Sequence, residues 1–455
     1  IVRYILKFPL WEDECFLAVN FIGASYADLL QPLQYQQVAP WLFLWSELWA
    51  VKTFGFNELA LRLVPFIGSL AGLALFADAA RRLFRRTELV AAIGVLAVAY
   101  PGIRYAAEAK QYGTDLFAAA LMLNLLVRWW TRPGRNRPLW ILAIVAPLLV
   151  GLSYPAVFVG GAVCIFAGIL AWTRRPLGRR PWAVYTLTLV GGFAAVYFMT
   201  IRPQTATETM STMQGFWDEA FPPSAPGAFA LWMLETHTGD LLAFPFGGGN
   251  YASTLTAIAC AFGLVGLWTT RRRLVLLLCL LPFALTFVAA LLHKYPYGGH
   301  MKFSMHLGPF IAMLAGAGIA TGAWLFLRIG PRAGRNVSII ALAIMTVVGG
   351  GSIVRDTLNP HKTPSDARYR GFARWFWFSA SYRGVALCVN TDFDRIGRNL
   401  QPDAWRELSW LAMFVCDMEI YSPHHRYDDR SAWDNSSREG PLRCVQYRDM
   451  DPRDE

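Results

Sequence analysis

Residues 63–86 read LVPFIGSLAGLALFADAARRLFRR, an apolar run that closes on Arg81, Arg82, Arg85 and Arg86. A helix needs about 20 apolar residues to cross a hydrocarbon core. Arginines massed at one end of such a run mark the cytoplasmic end. This pairing of an apolar run with a basic terminus decides the fold, because it recurs along the chain. Comparable runs lie near 58–80, 88–103, 112–130, 138–153, 155–172, 182–201, 252–269, 274–292, 304–327 and 337–354. Every second connection is basic: Arg128, Arg132, Arg135 and Arg137, then Arg174, Arg175, Arg179 and Arg180, then Arg271–Arg273, then Arg328, Arg332 and Arg335. The connections near 104–110, 202–250 and 293–303 carry far fewer cations. The alternation assigns the arginine loops to the cytoplasm and the others to the outer face.

Composition agrees. The chain has 455 residues, is 55% hydrophobic and carries 18 Trp, with a mean hydropathy of +0.34. Its net charge of +11 follows from the arginine loops and does not indicate a nucleic-acid partner. The expected fold is an all-α polytopic membrane protein with about ten visible spans over 1–355 and a small soluble domain over 356–455.

The alternation also places the segment 40–54, Pro40 to Phe54. Counting it as a span would move Arg81–Arg86 to the outer face. Its apolar part is short for a crossing, and Trp41, Trp45, Trp49, Glu47 and Lys52 suit a helix lying in the interface. Residues 9–56 are therefore expected outside as two interfacial helices. Because they follow no visible crossing, a further span is expected before residue 1. The 356–455 region, rich in Asp, Arg, Trp and Tyr, follows the last crossing outward. Residues 384–389 and 442–447 read as strands and Pro402 opens a helix running to about Phe414, so an α/β extracytoplasmic domain is expected. Cys388, Cys416 and Cys444 fall there and allow at most one bridge among themselves.

Polar groups concentrate in three outer connections. The first holds Glu12, Asp13 and Glu14, then Gln36-Gln37-Val38-Ala39-Pro40, then Phe54-Gly55-Phe56-Asn57-Glu58 and Arg62. The second holds Arg104, Tyr105, Glu108, Lys110 and Tyr112. The third is His293-Lys294-Tyr295-Pro296-Tyr297-Gly298-Gly299-His300-Met301-Lys302. Carboxylates beside a bilayer must be hydrated, paired or chemically used. Acids and cations converging on one face suit a charged lipid headgroup.

On these motifs, residues 1–330 resemble the membrane-embedded glycosyltransferases with a GT-C fold that use polyprenyl-phosphate sugars: the dolichyl-phosphate-mannose protein mannosyltransferases and the lipid A aminoarabinose transferases. The resemblance implies a polyprenyl-phosphate-sugar donor, a glycan, lipid or protein acceptor, and inverting transfer. It implies Asp13 as the base that takes the acceptor proton and Glu108 as a second acid that orients the acceptor or shares a divalent metal cation with Asp13. The leaving phosphate needs cations more than an acid. Arg62, Arg104, Lys110, Lys294 and Lys302 are the candidates, with Arg62 and Lys302 ranked first. His300 and Tyr112 could contact sugar or phosphate, with Glu14 and Tyr105 in support. Some relatives carry a basic residue just before the proline that starts the second interfacial helix. Here Gln36-Gln37-Val38-Ala39 stands there, so the cation must come from elsewhere. Spacing alone offers a different reading of Glu108, an ion pair with Arg104 four residues earlier.

The alternative from another class is a polytopic transporter or lipid flippase. Transporters usually place charged sites near mid-membrane and show paired repeats. In this chain the acids gather at one face, Asp78 and Asp115 excepted, and no repeat is visible.

Overall fold

The computed structural model describes residues 1–132, 134–205, 217–248, 251–327 and 331–361, and single positions between 364 and 420. Among these residues the structure is helical, without strands. The strands expected at 384–389 and 442–447 lie outside them.

A short helix α1 (Glu12–Ala18) and a longer one, α2 (Trp41–Phe54), precede the first long helix, α3 (Leu63–Leu83). Then come α4 (Thr87–Ala97), α5 (Tyr100–Tyr105), α6 (Tyr112–Thr131), α7 (Arg137–Leu152), α8 (Ala156–Thr173) and α9 (Arg179–Val196). The rest comprises α10 (Pro226–Thr238), α11 (Thr254–Thr269), α12 (Arg273–Leu291), α13 (Gly308–Leu327) and α14 (Pro331–Leu358). All ten apolar runs are helical. Among the described residues six segments are long and apolar enough to cross a membrane: Leu63–Leu83, Ala156–Thr173, Pro176–Thr205, Arg273–Leu291, Met301–Leu325 and Ile339–Leu358. Thr87–Ala97, Arg137–Leu152 and Thr254–Thr269 are shorter apolar helices.

Two departures have local causes. The run at 88–103 is not one helix: α4 stops at Ala97 and α5 restarts at Tyr100. Pro101 has no N–H to give the carbonyl of Ala97, and proline is accommodated only in a first turn. The Tyr100 N–H instead donates to the carbonyl of Pro245 at 3.0 Å, which ties the break to the 239–248 loop. Helix α6 is long but less apolar, because it carries Asp115, Asn124 and Arg128. It is buried along most of its length, which makes it the central helix of the bundle.

Small residues let α3 approach α6. A Cβ on Gly68 would lie 3.2 Å from the Gly113 carbonyl oxygen, and one on Gly72 would lie 3.2 Å from the Phe117 backbone. Their spacing of four puts both glycines on one helix face, the arrangement that lets membrane helices pack closely.

The first four arginine loops share one end of the bundle, while the side chains of Arg328, Arg332 and Arg335 lie outside the described residues. Asp78 accepts from Arg82 at 3.2 Å, Arg128 at 2.9 Å and Asn124 at 3.0 Å. Arg175 donates to the Trp129 carbonyl at 2.8 Å and Arg272 pairs with Glu88 at 2.8 Å. Asp78 is thus a tie between helix ends. Following α3 and α6 back, about 30 Å at 1.5 Å per residue, leads to Arg62 and Lys110 at the opposite end.

Glu47 differs from its expected place. Helix α2 exists over the anticipated residues, but Glu47 is fully buried, and neither carboxyl oxygen has a hydrogen-bond partner among the described residues. Burial, and then the nearby Glu14 carboxylate, push its pKa well above the usual range. A neutral carboxyl explains how it is tolerated inside. Glu12 is half-buried.

Candidate functional site

Helix α1 begins at Glu12, with Asp13 and Glu14 in its first turn, where carboxylates complement the helix dipole. Adjacent positions on a helix point about 100° apart. Glu14 points inward, 1% exposed, and Asp13 stays partly open.

Glu14 and Arg62 form a buried bidentate pair, with Nε–Oε1 and Nη2–Oε2 both at 2.7 Å. Arg62 also donates to the carbonyls of Phe8 at 2.6 Å and Pro9 at 3.1 Å. Glu14 accepts from the backbone N–H groups of Ala109 at 2.7 Å and Trp11 at 3.2 Å. Burial alone would lower the Arg62 pKa, but Glu14 more than offsets it and the pKa is raised. Arg62, expected at the donor phosphate, has its guanidinium 2% exposed and engaged by Glu14 and the Phe8 and Pro9 carbonyls, joining the start of the chain to α3. Glu14 extends the same tie to the 104–111 segment.

That tie sets Lys110 against Asp13. Lys110 Nζ lies 2.8 Å from Asp13 Oδ1, and Lys302 Nζ lies 3.8 Å from Oδ2. Lys110 also donates to the Gln37 side-chain carbonyl. The glutamine stretch that lacks a cation of its own thus has one brought to it from the second connection. Lys302 rests over the Trp217 ring, 4.5 Å from its centroid.

The third connection reaches this place through Gly298 and Gly299, at φ +92° and +71°. Side chains rarely adopt that conformation, and a Cβ on either residue would press on Thr236 or Ala220. The turn leaves His300 capping the short helix Met301–Leu307, its Nδ1 accepting from the Lys302 N–H at 3.3 Å. The Tyr105 hydroxyl lies 3.2 Å from the same nitrogen. The Lys302 N–H can only donate, so Nδ1 is an acceptor and the Tyr105 hydroxyl donates to it. An Nδ1 that accepts leaves the imidazole proton on Nε2. Tyr112 packs edge-on to Tyr105 at 4.9 Å.

Glu108 is 1% exposed and pairs with Arg104, Nε–Oε1 3.0 Å, the ion pair that the spacing permits. Arg104 in turn donates to the Tyr100 hydroxyl at 3.3 Å, which reaches Asp356 at 3.4 Å. Lys294 is exposed and makes no described contact with these groups. The structure therefore brings Asp13, Lys110, Lys302, His300, Tyr105 and Tyr112 together, with Arg104 and Glu108 alongside. Trp217 and Gln37 were not anticipated as members. Nothing marks Trp217 within its long connection, whereas Gln37 stands where a cation was missing.

The divalent cation raised for Asp13 and Glu108 does not fit this donor set. Each carboxylate already answers cations of the chain, and no cluster of three His, Cys, Asp or Glu suited to a metal occurs among the described residues.

In comparisons with known proteins, no family model and no curated protein matches the chain. Solved structures are similar in shape. ArnT from Cupriavidus metallidurans in the apo state gives a TM-score of 0.47 at 15% identity, over 92% of this chain and 75% of that one. Its form bound to undecaprenyl phosphate gives 0.46 at 16%, over 92% and 74%. The Archaeoglobus fulgidus oligosaccharyltransferase in the apo form gives 0.46 at 12%, over 87% of this chain and 56% of that one. At these identities and scores no residue role is taken from the likeness.

Proposed function

We propose that this chain is an integral-membrane glycosyltransferase that moves a sugar from a polyprenyl-phosphate donor to an acceptor hydroxyl at the outer face. The observation that carries the reading is the Asp13 carboxylate set between the Lys110 and Lys302 ammonium groups, at the bundle end opposite the arginine loops. A lone carboxylate would be repelled by a lipid phosphate, whereas two lysines can take the phosphate and share their charge with it. The carboxylate is then left to accept a proton. As the acceptor oxygen attacks the anomeric carbon, its proton passes to Asp13, and the sugar–phosphate bond breaks with its electron pair going to the phosphate. Lys110 and Lys302 stabilise the charge that collects there. His300, with its proton on Nε2, and Arg104, oriented by Glu108, are the further donors. Inverting stereochemistry follows from a single displacement.

The donor class is directly testable. Purified protein given an acceptor panel is expected to transfer sugar from a polyprenyl-phosphate sugar and not from a sugar nucleotide. Transfer from the nucleotide alone would remove the reading. Sidedness is a second expectation. In intact cells, Lys294→Cys should react with an impermeant maleimide and Arg132→Cys should not, and a reporter fused after residue 455 should report the outer face. The reverse labelling pattern would invert the topology. A transporter reading draws no support from Asp78, whose carboxylate is held by arginines at the helix ends.

A further inference from the structure

The chain's start and its late segment meet at two thiols. Cys416 Sγ donates to the Cys15 carbonyl oxygen at 3.8 Å, across 401 positions of sequence. Both thiols are free in the structure. Both residues are buried, among Leu10, Leu29, Leu33 and Met413. The segment around Cys416 is held independently, since Arg370 pairs with Asp417 at 3.9 Å and with Glu58 at 3.6 Å. A buried cysteine on its own is ordinary packing. Here two thiols from opposite parts of the chain meet in one buried cluster, with the Cys416 sulfur in contact with the backbone of Cys15, and a cross-link needs such proximity.

We propose that Cys15 and Cys416 form a disulfide that clamps the segment around 412–420 onto α1, the helix that carries Asp13. The proposal rests on the outward-facing orientation argued above, because such bonds persist in an oxidising compartment. The oxidant is a disulfide-bearing dithiol donor. One cysteine, as thiolate, attacks that disulfide and forms a mixed disulfide while a donor thiolate leaves. The second cysteine, as thiolate, then displaces the other donor sulfur. The pair loses two protons and two electrons, and the donor becomes a dithiol. Burial, and then contact with Cys416, raise the Cys15 pKa once the segment is seated. Burial of both residues shields the finished bond from reductants.

The test uses the full chain in its membrane. Free thiols are blocked with N-ethylmaleimide without reductant, the protein is digested, and the peptides are identified by mass spectrometry. The expected result is a linked peptide pair containing Cys15 and Cys416 that is lost on reduction. In Cys15→Ser the thiol of Cys416 should become alkylated, and the converse should hold for Cys416→Ser. A second arm treats detergent-purified, reduced protein, opened by mild denaturant and refolded, with oxidised glutathione. The same pair should link there. Maleimide on both cysteines in cells, or a bond from Cys416 to Cys388 or Cys444 instead, overturns the proposal. Labelling of Lys294→Cys in the same cells then shows whether the orientation failed with it, because an inward-facing Lys294→Cys would remove the oxidising compartment itself.

Discussion

Asp13→Asn is expected to abolish sugar transfer, lowering kcat by at least about a hundredfold, the usual cost of losing a general base. Asparagine keeps the shape and can still accept from Lys110 at the 2.8 Å contact, so the framework should survive. What it cannot do is take a proton. The loss should therefore fall on kcat, with donor binding held by Lys110 and Lys302 largely kept. Glu12→Gln, one position earlier in the same turn, is the comparison and should retain most of the turnover. The opposite ranking would move the base to Glu12, and full activity in both variants would reduce the acidic triplet to a helix start. Lys110→Met should behave differently, weakening donor binding as well as turnover, because its ammonium faces both Asp13 and the expected phosphate.

The fold was legible where physics is one-dimensional. Apolar length and arginine alternation depend on no partner, so all ten helical runs and the common end of Arg82, Arg128, Arg175 and Arg272 could be read directly. The break at Ala97–Tyr100 was also written in the sequence, in Pro101, but an apolar average over 88–103 hides it. The site was legible as a set of connections and not as a set of contacts. Asp13 and Glu14 are neighbours with the same charge, and only packing decides which one turns inward. That choice depends on Arg62, 48 positions later, and on the Ala109 N–H. The two cations ranked first part company for the same reason, Lys302 lying beside Asp13 and Arg62 on Glu14: a basic residue where a loop meets a span is placed well for a phosphate and equally well for a buried carboxylate. Lys110 was ranked lower, yet the structure sets it on Asp13.

Arg62→Met is expected to destabilise the folded chain by about 3–5 kcal/mol, the cost of removing one member of a buried ion pair. Glu14 would be left with the Ala109 and Trp11 N–H groups and no opposing charge, while the Phe8 and Pro9 carbonyls would lose their donor. The readout is thermal unfolding of detergent-purified protein, together with the amount of protein that reaches the membrane. Glu14→Gln should fall by a similar amount, since it strands the guanidinium. The double variant Glu14→Gln with Arg62→Met should be more stable than the sum of the two losses predicts, because neither charge is then buried alone. A phosphate-binding Arg62 would give another pattern. Arg62→Met would then melt normally, lose donor affinity, and show no coupling to Glu14. Coupling between the two residues therefore separates a framework that positions Lys110 from a direct hold on the donor.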